Sequence, residues 1–137
     1  MPDDQKFVRN DSDKRRGARF PLFHAFTCAA QGIGYAFTTQ RNIKIYIVVA
    51  ALAIVLGFLL GISAIEWIAI ILCMSLVFAG ECLNTAIESV VDMVSPEYSD
   101  LAKHAKNCAA GAVLVCSISS LIVAAFIFIP PVLTFIS

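Results

Sequence analysis

Lysine and arginine are missing from most of this chain. None occurs between Lys44 and Lys103, and none follows Lys106. Other absences narrow the field further. The five cysteines (Cys28, Cys73, Cys82, Cys108 and Cys116) have no CxxC spacing and sit in apolar surroundings. That argues against a zinc or disulfide framework and for small hydrophobes embedded in a membrane. The nucleotide motifs of soluble enzymes, GxxxxGK[ST] and the kinase HRD, do not occur, and there is no internal repeat or low-complexity segment. No secretory leader is visible, because the first apolar span begins at Ile45 behind a long charged segment and lacks a small-residue cleavage site.

What the chain has in abundance is hydrocarbon. It is 59% hydrophobic, with mean hydropathy +0.83. Ile45 to Ile62 is an uninterrupted apolar run, Ile65 to Gly80 carries Glu66 as its only charge, and Ala109 to Ile129 has only Ser and Gly as relief. Runs of about 18 residues or more match a bilayer core of roughly 30 Å. Three transmembrane helices are expected, over about 45–62, 65–92 and 108–130. All ten Lys and Arg lie in Lys6 to Lys44 and Lys103 to Lys106. The positive-inside rule then puts the N-terminus and the 93–107 segment in the cytoplasm, and the 62–66 turn and the C-terminus outside.

Residues 1–19 are charged, lack apolar periodicity and are expected to form a disordered cytoplasmic tail. Residues 20–137 form the membrane-embedded domain. Its first part, 20–39, is rich in Phe and small residues. Pro21 suits a first helical turn, and Phe20, Phe23, Phe26, Ile33 and Phe37 suggest an amphipathic surface helix. A kinked front of the first membrane helix is the plainer alternative. Gly57 and Gly61 make a GxxxG that would permit close helix contact. Ser95-Pro96 reads as the cap and first turn of a short cytoplasmic helix carrying Lys103 and Lys106, and Cys108 to Ala112 as a small-residue packing surface.

The polar residues of the second span carry the chemistry. At about 100° per residue, Glu81, Asn84, Glu88 and Asp92 fall on one stripe roughly 80° wide. Such a seam cannot face hydrocarbon, where each carboxylate would cost several kcal/mol. With Glu66 at the outer surface, Glu81 lies about 22 Å further along, Glu88 about 33 Å and Asp92 about 39 Å. Glu81 is thus inside the cytoplasmic half of the core, partly desolvated, close to a lipid hydroxyl and suited to act as a general base. Glu88, nearer water, suits an oxygen ligand for Mg²⁺. The plain alternative is interhelical glue, with Lys106 pairing Glu88. A single three-helix subunit would struggle to enclose the seam.

Glu81-Cys-Leu-Asn84-Thr-Ala-Ile-Glu88-Ser-Val-Val-Asp92, with Ser95-Pro96-Glu97-Tyr98 and Leu101-Ala102-Lys103-His104-Ala105-Lys106 after it, resembles the small prokaryotic integral-membrane lipid kinases, the diacylglycerol kinase and undecaprenol kinase family. The likeness extends to Gly32-Ile33-Gly34-Tyr35-Ala36-Phe37, Arg41-Asn42 and the Gly61/Glu66-Trp67 turn, and looks nearer the undecaprenol-type branch. It implies an all-α membrane protein of three transmembrane helices and a surface helix, assembled as a homotrimer in the bacterial inner membrane. The implied reaction is phosphorylation of a membrane lipid, undecaprenol or diacylglycerol, by ATP with Mg²⁺, and no nucleic acid is involved. By the same likeness Glu81 is the catalytic base and Asn84 positions it. Glu88 and Gln40 are metal ligands, Asp92 supports the nucleotide end, and Glu97, Tyr98, Ser99 and Lys106 contact the nucleotide. Three positions depart from the family pattern while remaining on the nucleotide side. Gln40 stands where a second metal-binding Glu is usual, Asn107 where Asp follows Lys, and Cys28 where a Tyr is usual. Gln40 and Asn107 each remove a negative charge and should weaken Mg²⁺ binding. The chain is therefore either a kinase with an altered nucleotide end or a weakened or inactive relative acting as a membrane binding protein.

Overall fold

The structure, a computed structural model, describes residues 22–136. The tail expected over 1–19, and Phe20 and Pro21, lie outside the described residues. Four helices follow in order: α1 (Leu22–Thr39), α2 (Arg41–Leu60), α3 (Ala64–Val94) and α4 (Asp100–Ile136). Among the described residues α2, α3 and α4 are long and apolar enough to cross a membrane, and large apolar side chains such as Leu59, Leu76 and Leu121 stand exposed along them. The fold is the all-α, three-span architecture expected.

The chain divides into two units within α1. The first ends at Tyr35 and the second begins at Ala36. In the first, Phe23 and His24 make an edge-to-face ring contact at 6.4 Å, Thr27 Oγ1 donates to the Phe23 carbonyl at 3.0 Å, and Phe23, Phe26 and Ile33 are exposed.

In the second unit, Phe37 stacks on Phe78 of α3 at 5.9 Å. Gln40 alone separates α1 from α2. Its backbone is extended, which breaks the helix, and its side chain does not cap α2. The α2–α3 turn depends on Gly61, whose φ of 62° lies in the left-handed region that favours glycine. Both the Gly61 and Ile62 N–H groups reach the Gly57 carbonyl. Gly57 itself lies under the Trp67 ring. The two glycines of the GxxxG therefore serve this turn, one as its cap and one as a seat for an indole, rather than a helix–helix crossing. Ser63 and Glu66 form a capping box: Ser63 Oγ accepts from the Glu66 N–H, while the Glu66 carboxylate accepts from the Ser63 N–H at 2.7 Å. This fixes the start of α3 and explains the lone charge in its apolar run.

Helices α3 and α4 form the principal packing pair. Val113 of α4 approaches Gly80 closely, Ala109 and Val113 are buried, and Ser120 Oγ reaches the Cys73 carbonyl at 3.4 Å. The reading of Ser95-Pro96 as the start of a short helix is not what the structure has. Ser95 closes α3, its N–H bonded to the Val91 carbonyl at 2.8 Å. The next helix opens at Asp100, where Ser99 accepts from the Lys103 and Ala102 N–H groups. Lys103 and Lys106 ride on the first turns of α4 itself. Pro130 and Pro131 fall inside the last turns of α4, where each removes a helical backbone donor, and Thr134 Oγ1 donates to both their carbonyls.

Candidate active site

An unbroken α3 keeps Glu81, Asn84, Glu88 and Asp92 on one stripe, and the neighbouring helices close over its upper half. Glu81 is 2% exposed, Asn84 6% and Thr85 4%. One chain by itself covers Glu81 and Asn84, while Glu88 is half-buried and Asp92 stays exposed, so the seam as a whole is not enclosed by a single subunit. The start of α2 lies against Glu81, and α4 packs on α3 one residue away, with Val113 at Gly80. Thr85 satisfies itself by donating to the Glu81 carbonyl at 2.8 Å.

The buried acceptors are unequally served. Glu88 receives two amides: Gln40 Nε2 at 2.8 Å on Oε2, and Asn84 Nδ2 at 3.2 Å on Oε1. Glu81 Oε1 and Asn84 Oδ1 are buried with no hydrogen-bond partner. A buried, unpaired acceptor costs about 1–3 kcal/mol, so two on adjacent turns of α3 suit a place that receives a donor or a cation. Asn42 and Tyr46 of α2 approach the Glu81 carboxyl group. Neither was named as a site residue from the sequence. They lie four residues apart on one helix face, and Tyr46 is hidden inside an apolar run.

Below this cluster the lower end of α3, the connecting loop and the start of α4 frame a cleft of about 350 Å³. Asp92, Glu97, Tyr98, Ser99, Lys106 and Asn107 all line it. Lys106 pairs with Asp92, not with Glu88. Tyr98 donates to Asp100 at 2.7 Å, and that carboxylate holds the phenol proton and raises the Tyr98 pKa above its usual value. The structure thus brings the expected residues into two groups along α3: an inner one of buried Glu81 and Asn84 with half-buried Glu88 and Gln40, and a wet one from Asp92 through the loop to Asn107 of α4. Cys28 lies on the separate unit that ends at Tyr35.

The sequence of the chain matches a known family. The model of the prokaryotic diacylglycerol kinases matches residues 27–128. The chain belongs to that family. Among its relatives, undecaprenol kinase of Bacillus subtilis is 39% identical over 120 residues, which cover 88% of this chain and 98% of the relative. Diacylglycerol kinase of Synechocystis is 44% identical over 114 residues, covering 82% of this chain and 65% of that longer protein. Diacylglycerol kinase of Escherichia coli is 34% identical over 92 residues, covering 67% of this chain and 75% of the relative. Membership gives the reaction class, that of a lipid kinase built as a membrane protein.

Proposed function

We propose that the chain moves the γ-phosphoryl group of ATP to the hydroxyl of a membrane lipid, undecaprenol or diacylglycerol, at the cytoplasmic leaflet of the bacterial inner membrane. The observation that carries this reading is the buried, unpartnered Glu81 Oε1, on the same helix stripe as a polar cleft that holds Lys106. The acceptor oxygen forms a bond to the γ-phosphorus while the bond from that phosphorus to the β,γ-bridging oxygen breaks, and ADP leaves. The hydroxyl proton passes to Glu81 Oε1. Positioning and charge neutralisation do most of the work in such a transfer.

Mg²⁺ is the implied partner of the nucleotide. Among the described residues no three His, Cys, Asp or Glu side chains gather as a metal cage. The donor set suits Mg²⁺ nonetheless, since this ion is commonly held by one or two carboxylates with phosphates and waters. Glu88 would supply the carboxylate, Gln40 an amide oxygen, and Asn84 Oδ1 is an acceptor with no partner. The bound ion would neutralise phosphate charge. Asn84 donates to Glu88, so its part is to aim Glu88 as well as to flank Glu81. Asp92 orients Lys106, which meets phosphate, and Glu97, Tyr98, Ser99 and Asn107 line the nucleotide's cleft. Cys28 as a nucleotide contact rests on resemblance alone, as does assembly of three copies. The cytoplasmic N-terminus is supported by the basic ends of α2 and α4 meeting the same end of α3, through Gln40–Glu88 and Lys106–Asp92.

Purified protein in micelles with MgATP and each lipid tests the reading. Phosphorylated lipid and ADP should appear in equal amounts, and no product with either acceptor at any Mg²⁺ concentration would overturn it. Lys106→Ala should raise the apparent KM for ATP roughly tenfold or more, the scale of a lost charged hydrogen bond. Its pair with Asp92 is surface-exposed and contributes about 0–1 kcal/mol, so thermal unfolding should barely move. An unchanged ATP KM would remove Lys106 from the phosphate site.

A second reading, a weakened relative acting as a membrane binding protein, has one observation in its favour. The Gln40 amide already occupies Glu88 as a donor. Gln40→Glu combined with Asn107→Asp separates the two. Activity that appears only in the double variant favours the second reading, and activity in the unaltered protein favours the first. Glu88→Ala should raise the Mg²⁺ concentration needed for half-maximal rate, and an unchanged requirement would rule out the ligand role.

A further inference from the structure

Helices α2, α3 and α4 part on the far side of Glu81 from the polar cleft, leaving a cavity of about 270 Å³. Its wall is nearly all hydrocarbon, with Val49, Ala53, Ile70, Met74 and Leu121 among the lining residues. The hydroxyls that reach it are engaged. Ser120 Oγ donates to the Cys116 carbonyl at 2.8 Å, and Ser117 Oγ donates to the Tyr46 phenol oxygen at 3.4 Å. A phenol that accepts from Ser117 keeps its own hydrogen to donate elsewhere. Tyr46 both lines this cavity and approaches Glu81, so the apolar space and the dry acid meet at one side chain.

From Tyr46 to Ala53 the cavity follows α2 for about 10 Å, and from Phe78 back to Ile70 it follows α3 for about 12 Å. Both paths lead away from Glu88 and the wet cleft, toward the middle of the bilayer. A lipid whose hydroxyl sits at Glu81 has its tail running the same way. Apolar cavities of this kind stay dry and take hydrocarbon guests. A whole helix, about 10 Å across, does not enter such a space, whereas a single hydrocarbon chain does.

We propose that this cavity receives the first segment of one hydrocarbon tail of the acceptor lipid, leaving the lipid's hydroxyl between Tyr46 and Glu81 at the cavity's polar end. The proposal rests on the lipid-kinase reading above and deepens it. It makes the start of the tail, rather than its whole length, the part of the acceptor that the enzyme measures.

Two measurements test it. In the first, the unaltered protein is illuminated with a diacylglycerol and with a polyprenol, each carrying a diazirine near the start of its tail, and the labelled peptides are mapped. Label should concentrate on residues 45–53, 70–78 and 117–124. In the second, Ala53→Phe fills the cavity. Its apparent KM for long-tailed diacylglycerol should rise about tenfold, the scale of misfit in an apolar pocket, with a much smaller rise for a diacylglycerol whose tails are too short to reach Ala53. Lipid phosphorylation by the unaltered protein with label spread evenly over the outer helix faces, or with label carried to a second copy, overturns this proposal alone. So does an Ala53→Phe enzyme with the unaltered chain-length dependence. Failure of the unaltered protein to phosphorylate either lipid overturns the underlying reading, and this proposal with it. The labelling uses the unaltered protein, so it decides the matter even where Ala53→Phe does not fold.

Discussion

Glu81→Gln should lower the rate of lipid phosphorylation by about 10²–10⁴-fold, the usual contribution of a positioned general base, while leaving the protein folded. Gln has nearly the volume of Glu and fills the same 2% exposed site. It also takes a potential charge out of a dry place, where an ionised carboxylate is costly. Thermal unfolding in detergent should therefore be unchanged or shifted upward, and the loss should appear in kcat with both substrates saturating. That pattern separates a chemical role from glue. A polar residue that merely ties α3 to its neighbours would cost stability when altered and would leave the rate of the surviving folded protein near normal. A rate within tenfold of the unaltered enzyme would remove Glu81 from its assigned role.

Gly57→Leu should cause the largest loss of stability of any substitution considered. A methyl group alone at position 57 would stand 2.8 Å from Trp67 Cη2 and 2.9 Å from Cζ2, with Ile62 Cδ1 at 3.1 Å. The indole is also held by Phe58, with ring centroids 4.9 Å apart, so it cannot yield without giving up that contact. Overpacking of this kind costs about 1–3 kcal/mol for small additions, and Leu adds three further carbons. Unfolding temperature should drop by several degrees, and the turn that sets the start of α3 should loosen. Trp67 is the only tryptophan in the chain, so its emission reports the displacement directly. Unchanged emission and unfolding would show that the turn does not depend on this contact.

Much of the architecture was legible in the sequence because hydrocarbon thickness is a strict constraint. Three apolar runs gave three spans, and the stripe from Glu81 to Asp92, roughly 80° wide, holds because α3 runs unbroken through it. Local chemistry was harder to read. Ser95-Pro96 has the composition of a helix start, but Ser95 closes α3 and Ser99 opens α4; a pattern of capping residues does not say which of two nearby serines faces which helix. Gly57 and Gly61 fit a helix-crossing motif, yet Gly61 is the left-handed cap of α2 and Gly57 the seat of Trp67, ten residues further on. Asn42 and Tyr46 were passed over because a lone phenol in an apolar run carries no signal until the α3 carboxylate beside it is known. Lys106 pairs with Glu88 in the glue reading, but the structure gives it Asp92, one turn further along the stripe, because sequence spacing alone does not say which turn of α3 the start of α4 meets.

The capping box at Ser63 and Glu66 fixes the rotational phase of everything downstream on α3. One residue inserted between Glu66 and Glu81 would move the acid by only about 1.5 Å along the bilayer normal but would swing it about 100° around the axis. Depth would barely register the change, whereas orientation would carry the carboxylate from the α2–α4 side toward the acyl chains. The helix therefore tolerates sliding far better than turning. Four inserted residues, which restore the angle to within about 40°, should do less harm than one.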